Sequence, residues 1–275
     1  MNRPRIRIAG ASGALLLSLG TLQTASAADP NTFSANIGAV SNYIWRGVSQ
    51  TQDGPAVQGG LDYAHASGFY LGTWASNVDW NNEGAPQIAT ALVDADGLAI
   101  LDDNGYPIYE TLGASNPDSP TYEIDLYTGF GGKIGDDWKW DINAILYAYP
   151  DGRDVNFGEI GGKLTYRWIT AGLAYTVWAE ADGGDNSEGI LFYEGDLYSF
   201  GAIDFALPYD FAFNAHGGYY AFRNSNGQSY GTWGVSISRT VGEYGTVSFN
   251  YDQNGGNQDV WDTDPKVWVG WKKTF

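Results

Sequence analysis

The chain has no cysteine and only two histidines in 275 residues. Without cysteine, a small secreted scaffold stapled by disulfides is excluded. His65 and His216 stand in no recognised nucleophile motif, and no spacing typical of a zinc site occurs. We therefore expect no enzyme activity, no catalytic residues, no cofactor and no metal.

Basic residues are also scarce. Lys and Arg number 14 against 32 Asp and Glu, for a formal net charge of −18. This balance argues against nucleic acid and other polyanions as partners. Long apolar runs are missing after the N-terminus as well, so no membrane-spanning helix is expected in the mature chain. Aromatic residues, by contrast, make up 15% of the chain, with 11 Trp and 19 Tyr.

The N-terminus has the three parts of a secretory signal. Arg3, Arg5 and Arg7 form a charged head, residues 14–19 are mostly apolar, and Ala25-Ser26-Ala27 is a small-residue cleavage site. The apolar part is shorter than the roughly 20 residues of a spanning helix. We predict that residues 1–27 are removed on export and that residues 28–275 form the mature domain.

Apolar and polar residues alternate through nearly all of that domain. In "TYEIDLYTGF", Tyr122, Ile124 and Leu126 share one side, and Glu123 and Asp125 share the other. This period of two predicts β-strands with one apolar and one polar face. About twelve strands are expected, beginning near Phe33, Pro55, Phe69, Thr121, Trp138, Phe157, Ala171, Ile190, Phe211, Tyr230, Thr246 and Lys266.

Tight turns and long polar loops alternate between these strands. The predicted tight turns are Ser67-Gly68, 135–137, Ile169-Thr170, 207–209 and 242–244, and the predicted long loops are 46–54, 81–120, 150–156, 181–189, 224–229 and 254–265. Sorting of connections by length is typical of a transmembrane antiparallel up-and-down β-barrel with short periplasmic turns and longer extracellular loops. The sequence therefore predicts an all-β barrel in the bacterial outer membrane. Within the long insertion 81–120, we expect a β excursion above the barrel or a segment folded over its mouth.

The two faces of such a barrel assign roles to side chains. An interfacial aromatic girdle is predicted at Trp45, Trp74, Trp80, Trp138, Trp168, Trp178, Trp261 and Trp268. Lumen-lining candidates are Asp62, Asp125, Lys139, Asp141, Asn143, Glu159, Lys163, Arg167, Glu194, Asp196, Asn214, His216, Asn250 and Asp252. These charges either set a field across a constriction or form a network that merely fills the interior. Twelve strands lie between packed and open barrels, so a narrow or plugged pore with mild cation preference is expected.

The last ten residues, "KVWVGWKKTF", place Val267, Val269, Trp271 and Phe275 on one strand face. A closing strand that ends in an aromatic residue resembles the signal read by the barrel assembly machinery, so Trp271 and Phe275 are assigned to assembly. Other expected partners are outer-membrane lipid, lipopolysaccharide and small solutes, and the oligomeric state is left open. Arg46, beside Trp45, is expected to pair with an acidic lumen group or with a lipopolysaccharide phosphate.

A specific resemblance is carried by "NIGAVSNYIWRGVSQTQDGPAVQGGLDYAHASGFYLGTWASNVDW", residues 36–80. In its motifs Asn42-Tyr43, 46–51, 55–60 and 74–78, this stretch resembles the TorF family of porins. The resemblance implies an outer-membrane barrel with a transport role and supplies no residue-level assignments.

Together these patterns predict a porin-like channel for passive diffusion of small solutes or ions through a narrow polar lumen. The alternative is a closed-lumen structural or ligand-binding outer-membrane barrel without transport activity. A soluble secreted β protein that binds carbohydrate is a further alternative.

Overall fold

The computed structural model describes residues 30–80, 89–91, 109–111, 119–180, 192–223, 229–258 and 261–275. The predicted signal segment 1–27 and most of the insertion 81–120 lie outside these ranges. The described strands, in chain order, are β1 (Asn31–Val40), β2 (Ile44–Trp45), β3 (Val48–Ser49), β4 (Ala56–His65), β5 (Phe69–Asn77), β6 (Ala89–Ala91), β7 (Tyr109–Thr111), β8 (Tyr122–Ile134), β9 (Trp138–Ala148), β10 (Phe157–Tyr166), β11 (Ile169–Ala179), β12 (Leu197–Ala206), β13 (Phe211–Ala221), β14 (Tyr230–Thr240), β15 (Thr246–Asn254) and β16 (Lys266–Thr274).

Twelve of these strands form one closed antiparallel barrel, in the order β1-β4-β5-β8-β9-β10-β11-β12-β13-β14-β15-β16 and back to β1. Each barrel strand pairs with the next along the chain. The last strand closes the ring on the first, with Val40 opposite Gly270 and Asn36 opposite Thr274. Closure leaves the barrel without an edge strand, so its ladder hydrogen bonds are satisfied internally. The predicted up-and-down barrel of about twelve strands is confirmed.

The period of two decides which side chains point into the barrel. On β8, Glu123 is fully buried, whereas its near neighbours Leu126 and Phe130 are 52% and 45% exposed on the outer surface. Ile142 on β9 and Ile160 on β10 continue the same apolar outer surface. The outer face is therefore apolar and the inner face polar, as alternation predicts.

Short turns join β4 to β5, β8 to β9, β10 to β11, β12 to β13 and β14 to β15, and the last contains a 3₁₀ turn at Gly242–Tyr244. The predicted turn at Ile169-Thr170 is wrong, because these residues begin β11 and the turn is at Arg167 and Trp168. The Thr165 and Thr170 hydroxyls lie 2.9 Å apart across the ladder, which keeps Thr170 in the strand.

The strand predicted near Ile190 begins instead at Leu197. Gly195 has a φ of 102°, which interrupts an extended chain. The Asp196 carboxylate accepts hydrogen bonds from the backbone N–H groups of Tyr193 at 3.0 Å and Arg223 at 2.7 Å. This loop conformation delays the start of the strand.

Within the insertion 81–120, β6 and β7 pair antiparallel, with Ala89 opposite Thr111. This pairing is the β structure described within the insertion, and the residues between its two strands lie outside the described ranges. In the part of the chain that the structure describes, no helix is long and apolar enough to cross a membrane.

Candidate functional site

Residues 41–55, between β1 and β4, fold into the barrel and are called the inward loop. The sequence predicts an exposed outer loop for 46–54, and this prediction is wrong for most of the segment. Trp45 is 1% exposed and Gln50 is fully buried. Ile44, Trp45 and Val48 supply an apolar surface that water does not solvate well, so this loop is driven into the lumen.

A two-residue hairpin turn shapes the tip of the inward loop. β2 pairs with β3, and the turn residues Arg46 and Gly47 have φ values of 45° and 79°. Two consecutive positive φ values define a type I′ turn, which requires Gly or a tolerant residue. A Cβ on Gly47 would also collide with the Thr232 hydroxyl of β14. The tip therefore has room only for glycine at this position.

Polar side chains stiffen the base of the inward loop. Ser49 Oγ donates to Asn42 Oδ1 at 2.7 Å, and Asn42 Nδ2 donates to Asp53 Oδ1 at 2.7 Å. The backbone N–H of Asp53 donates to Ser49 Oγ at 2.8 Å, which closes a ring of hydrogen bonds through these three residues. The loop thus has internal structure of its own.

Arg46 anchors the tip to the barrel wall. Its Nη1 and Nη2 atoms donate to the two Glu159 carboxylate oxygens of β10 at 2.9 and 2.7 Å. The guanidinium also lies 4.2 Å from the Trp45 ring centre, 4.3 Å from that of Tyr198 and 4.8 Å from that of Tyr220. Burial lowers the pKa of Arg46, but the Glu159 carboxylate raises it, and the net pKa lies above the ordinary value.

This contact settles the two hypotheses for Arg46. The side chain pairs with an acidic lumen group, and the expected lipopolysaccharide contact is wrong because the residue is buried inside the barrel. Bidentate, fully desolvated pairs of this kind restrict orientation more than exposed pairs do.

Trp45 is the centre of an aromatic cluster that crosses the lumen. Its ring centre lies 6.3 Å from Tyr147 of β9, 6.5 Å from Phe157 of β10, 6.0 Å from Phe192 and 5.7 Å from Tyr220 of β13. Phe157 and Phe192 stack on each other at 4.1 Å. The cluster fills the half of the barrel nearest the long loops with apolar side chains.

The inward loop also reaches the remaining walls. Tyr43 packs edge-on against Trp74 of β5, with ring centres 5.5 Å apart. On the opposite side, Lys266 Nζ of β16 donates to Asp53 at 2.7 Å and to Asp262 at 2.8 Å. Because the loop contacts strands all around the ring, it obstructs the lumen at the long-loop end.

Two buried carboxyl groups lie beside this obstruction. Glu123 and Asp125 on β8 are 0% and 1% exposed. The Tyr43 hydroxyl lies 3.5 Å from both Glu123 oxygens, whereas neither Asp125 oxygen meets a hydrogen-bond donor among the described residues. Because Asp125 lies beside Glu123 in a dry interior, two full negative charges at this position would be costly.

The half of the lumen nearest the short turns is lined differently. His216 joins Asn214 (Nδ1 to Oδ1, 2.9 Å) and Asp252 (Nε2 to Oδ1, 3.0 Å). Trp268 Nε1 donates to the other Asp252 oxygen at 2.7 Å. Beyond this network the inner face carries small residues that are partly exposed, among them Ser236, Ser238 and Ser248. We call this half of the lumen, nearest the short turns, the vestibule.

A family model described as a bacterial protein of unknown function (Gcw_chp) matches residues 24–275, which include the barrel and the inward loop. The chain belongs to the Gcw_chp family. No curated protein matches it.

Among solved structures, this Gcw_chp barrel is similar to a KdgM porin in complex with disordered oligogalacturonate, at a TM-score of 0.50 and 9% identity, covering 89% of this chain and 99% of that one. A second KdgM porin structure matches at 0.49 and 9%, covering 88% and 98%. The NanC porin matches at 0.47 and 11%, covering 88% and 98%. At these identities, the similarity to the first structure concerns the barrel fold.

Most of the predicted lumen residues of the Gcw_chp barrel lie on its inner face: Asp62, Asp125, Lys139, Asp141, Asn143, Glu159, Lys163, Asn214, His216, Asn250 and Asp252. Three do not line the wall. Arg167 lies in the β10–β11 turn, where its Nε donates to Asp137 at 2.9 Å, and that hydrogen bond lowers the pKa of Asp137. Glu194 is exposed in the loop before β12, and Asp196 is buried there as a backbone acceptor.

The predicted aromatic girdle is largely wrong. Trp45, Trp74, Trp80 and Trp261 are buried, and Trp268 points inward to Asp252. Of the eight predicted residues, Trp138, Trp168 and Trp178 alone are exposed on the outer surface. The outer aromatics instead include cross-strand pairs, Trp138–Tyr166 at 4.7 Å, Trp168–Phe205 at 4.9 Å and Trp233–Tyr251 at 5.0 Å.

Tyr147, Tyr198 and Tyr220, which surround Arg46, are absent from the predicted site. Strand alternation could have predicted that they face inward. Tyr147, for example, lies four positions after the lumen candidate Asn143 on β9, and an even separation along a strand places both side chains on the same face. On β16, Trp271 and Phe275 face outward, and Lys273 Nζ lies 5.0 Å from the Phe275 ring centre.

Proposed function

We propose that this Gcw_chp protein is an outer-membrane channel for small polar solutes, exported by its N-terminal segment, and that the inward loop closes it at rest. The resemblance to the TorF porins is part of this proposal. The observation that carries it is the division of the closed barrel into an apolar outer face and a polar inner face.

The outer face supports the location in a membrane. Leu61, Leu126, Ile142, Ile160 and Phe249 belong to different strands, and each is more than half exposed. Soluble monomers rarely expose contiguous apolar patches larger than a few hundred Å². A closed barrel satisfies its backbone groups internally, which hydrocarbon requires.

The inner face supports a path for polar solutes. The vestibule is lined by hydroxyl groups and charged side chains. The similarity of the barrel fold to that of porins is consistent with diffusion of small solutes through it. Since the inward loop fills the other half, conduction requires that the loop withdraw or shift. A continuous path for solutes therefore requires a movement of the inward loop alone, without a change in the barrel strands.

The inward loop also favours a second candidate, a closed-lumen barrel with a structural or ligand-binding role. Trp45, Phe157 and Tyr220 are at most 1% exposed, which resembles a protein core more than a pore lining. The two candidates differ in whether the loop ever leaves the lumen.

Recordings of the purified barrel in planar bilayers distinguish them. The wild-type chain should show discrete conductance steps if the loop opens, and a variant in which residues 43–50 are replaced by a short Gly-Ser linker should conduct continuously. Conductance in the linker variant alone would favour the closed-lumen barrel. Heat-modifiable migration on gels shows that each protein has folded into a barrel. If both folded proteins then show no conductance, the proposed channel is contradicted.

A further inference from the structure

Three lysines gather on one part of the vestibule wall. Lys133, Lys139 and Lys163 lie on the inner faces of β8, β9 and β10, next to outward-facing Ile134, Trp138 and Leu164 respectively. The chain carries only 14 basic residues against 32 acidic ones, so a local positive cluster is unexpected from its composition.

The register makes this cluster electrostatically unfavourable by itself. Lys133 lies directly opposite Lys139 in the β8–β9 ladder. Directly opposed residues have Cβ atoms about 4.5–5.5 Å apart, and like charges there are destabilising. Lys139 faces Thr165 on its other side, and Lys163 lies one inward position further along β10, opposite Asp141. Nothing in the packing of the barrel requires a positive charge at Lys133 or Lys139, since both are exposed to the lumen.

Two carboxylates on the neighbouring strand and turn, Asp141 and Asp137, are already engaged. Asp141 accepts hydrogen bonds from the Tyr70 hydroxyl and from Asn143 Nδ2, each at 2.9 Å. Asp137 in the adjoining turn pairs with Arg167, and Asp136 lies in the same turn. Within the described ranges, no carboxylate oxygen lies within ion-pair distance of the three lysines.

We propose that Lys133, Lys139 and Lys163 form a binding site for small anionic solutes that carry carboxylate or phosphate groups, at the short-turn mouth of the lumen. An incoming anion relieves the repulsion between the lysines, and their ammonium groups attract it through a low-dielectric wall. The inference rests on the proposed channel for its physiological meaning. It also runs against the cation preference expected from net charge, because Lys133 and Lys139 on this part of the wall have no ion-pair partner among the described residues.

Calorimetric titration of the folded barrel in detergent micelles tests the site without any need for conduction. Citrate is the anionic probe and glycerol the uncharged one. Citrate should bind and glycerol should not. The double variant Lys133→Gln, Lys139→Gln should weaken citrate binding by about tenfold, since each exposed ion pair lost changes the affinity by only a small factor.

Lys273→Gln is the matched control. It removes one positive charge from the same end of the barrel but from the outer face, where Lys273 lies over Phe275. Citrate affinity should be unchanged in this variant. Absence of citrate binding to the wild type, or equal affinity of the wild type and the double variant, would overturn the site.

Bilayer recordings under a salt gradient separate this inference from the proposed function. Citrate binding by a barrel that never conducts would refute the channel and leave the anion site in place. Conduction with cation-selective reversal potentials and no citrate binding would leave the channel in place and refute the site.

Discussion

Glu159→Ala is the sharpest perturbation of the inward loop. Glu159 is 2% exposed and receives both guanidinium hydrogen bonds from Arg46. Its removal leaves a buried arginine that has no carboxylate, which costs about 3–5 kcal/mol in proteins. When the loop withdraws, Arg46 returns to water and the cost disappears. The substitution therefore raises the free energy of the closed state and leaves that of the open state unchanged.

At about 1.4 kcal/mol per factor of ten, the closed state should lose about two to three and a half orders of magnitude in its population relative to the open one. In planar bilayers, the open probability of Glu159→Ala should rise by up to that factor. Trypsin offers an independent measure, since it cleaves after Arg46 only when the loop is exposed. Where the loop opens and closes faster than cleavage, the cleavage rate follows the open population.

Two control variants test whether the effect comes from the unpaired Arg46 charge. Asp204→Asn removes a lumen carboxylate that accepts from Asn214 at 2.8 Å, and it should leave conductance and cleavage unchanged. The double variant Arg46→Met, Glu159→Met leaves no unpaired charge and should restore closure. If Glu159→Ala folds but keeps wild-type conductance and wild-type cleavage, the ion pair does not hold the loop.

Three further predictions concern other parts of the barrel. Gly47→Ala should raise the open probability, because alanine is strained at a φ of 79° and meets a neighbouring hydroxyl, whereas Gly135→Ala, at a φ of 64° with open space around it, should not. Lys266→Met removes the ion pair with Asp53 that tethers the base of the inward loop, and tryptic cleavage of the loop should increase severalfold; an unchanged rate would show that this tether contributes nothing. Leu126→Arg, on the outer face within β8, should lower stability in lipid vesicles by about 2–4 kcal/mol, whereas Ile134→Arg at the strand end should cost about 0–1 kcal/mol by denaturant titration. Equal costs at the two positions would contradict the membrane-spanning orientation.

The strand pattern is predictable because it is local. Alternation over ten residues already separates Glu123 from Leu126, and eleven of the twelve predicted strand starts lie within two residues of the observed ones or coincide with them, including those at Phe69, Trp138 and Tyr230. Local alternation does not predict the later start of β12 at Leu197. That start depends on the Asp196 carboxylate, which accepts a hydrogen bond from the backbone N–H of Arg223 on another segment.

The aromatic residues show where local reasoning ends. A tryptophan near a strand end is expected at the membrane interface, yet Trp45 and Trp261 belong to loops, and Trp268 shares a strand with outward-facing Val267 and Val269. Because side chains alternate along a strand, the outward direction of Val267 and Val269 predicts correctly that Trp268 faces the lumen. No periodicity assigns a direction to a loop, so the burial of Trp45 follows only from the contacts it finds on β9, β10 and β13.

The amino-acid sequence alone determined the number of strands, their two faces and their order, because each of these depends on residues that are neighbours along the chain. Only the tertiary structure decided that the first loop turns inward and that Arg46 meets Glu159, 113 residues away. Barrel closure creates an interior, and which side chains occupy it depends on packing and charge across the ring rather than along the strand.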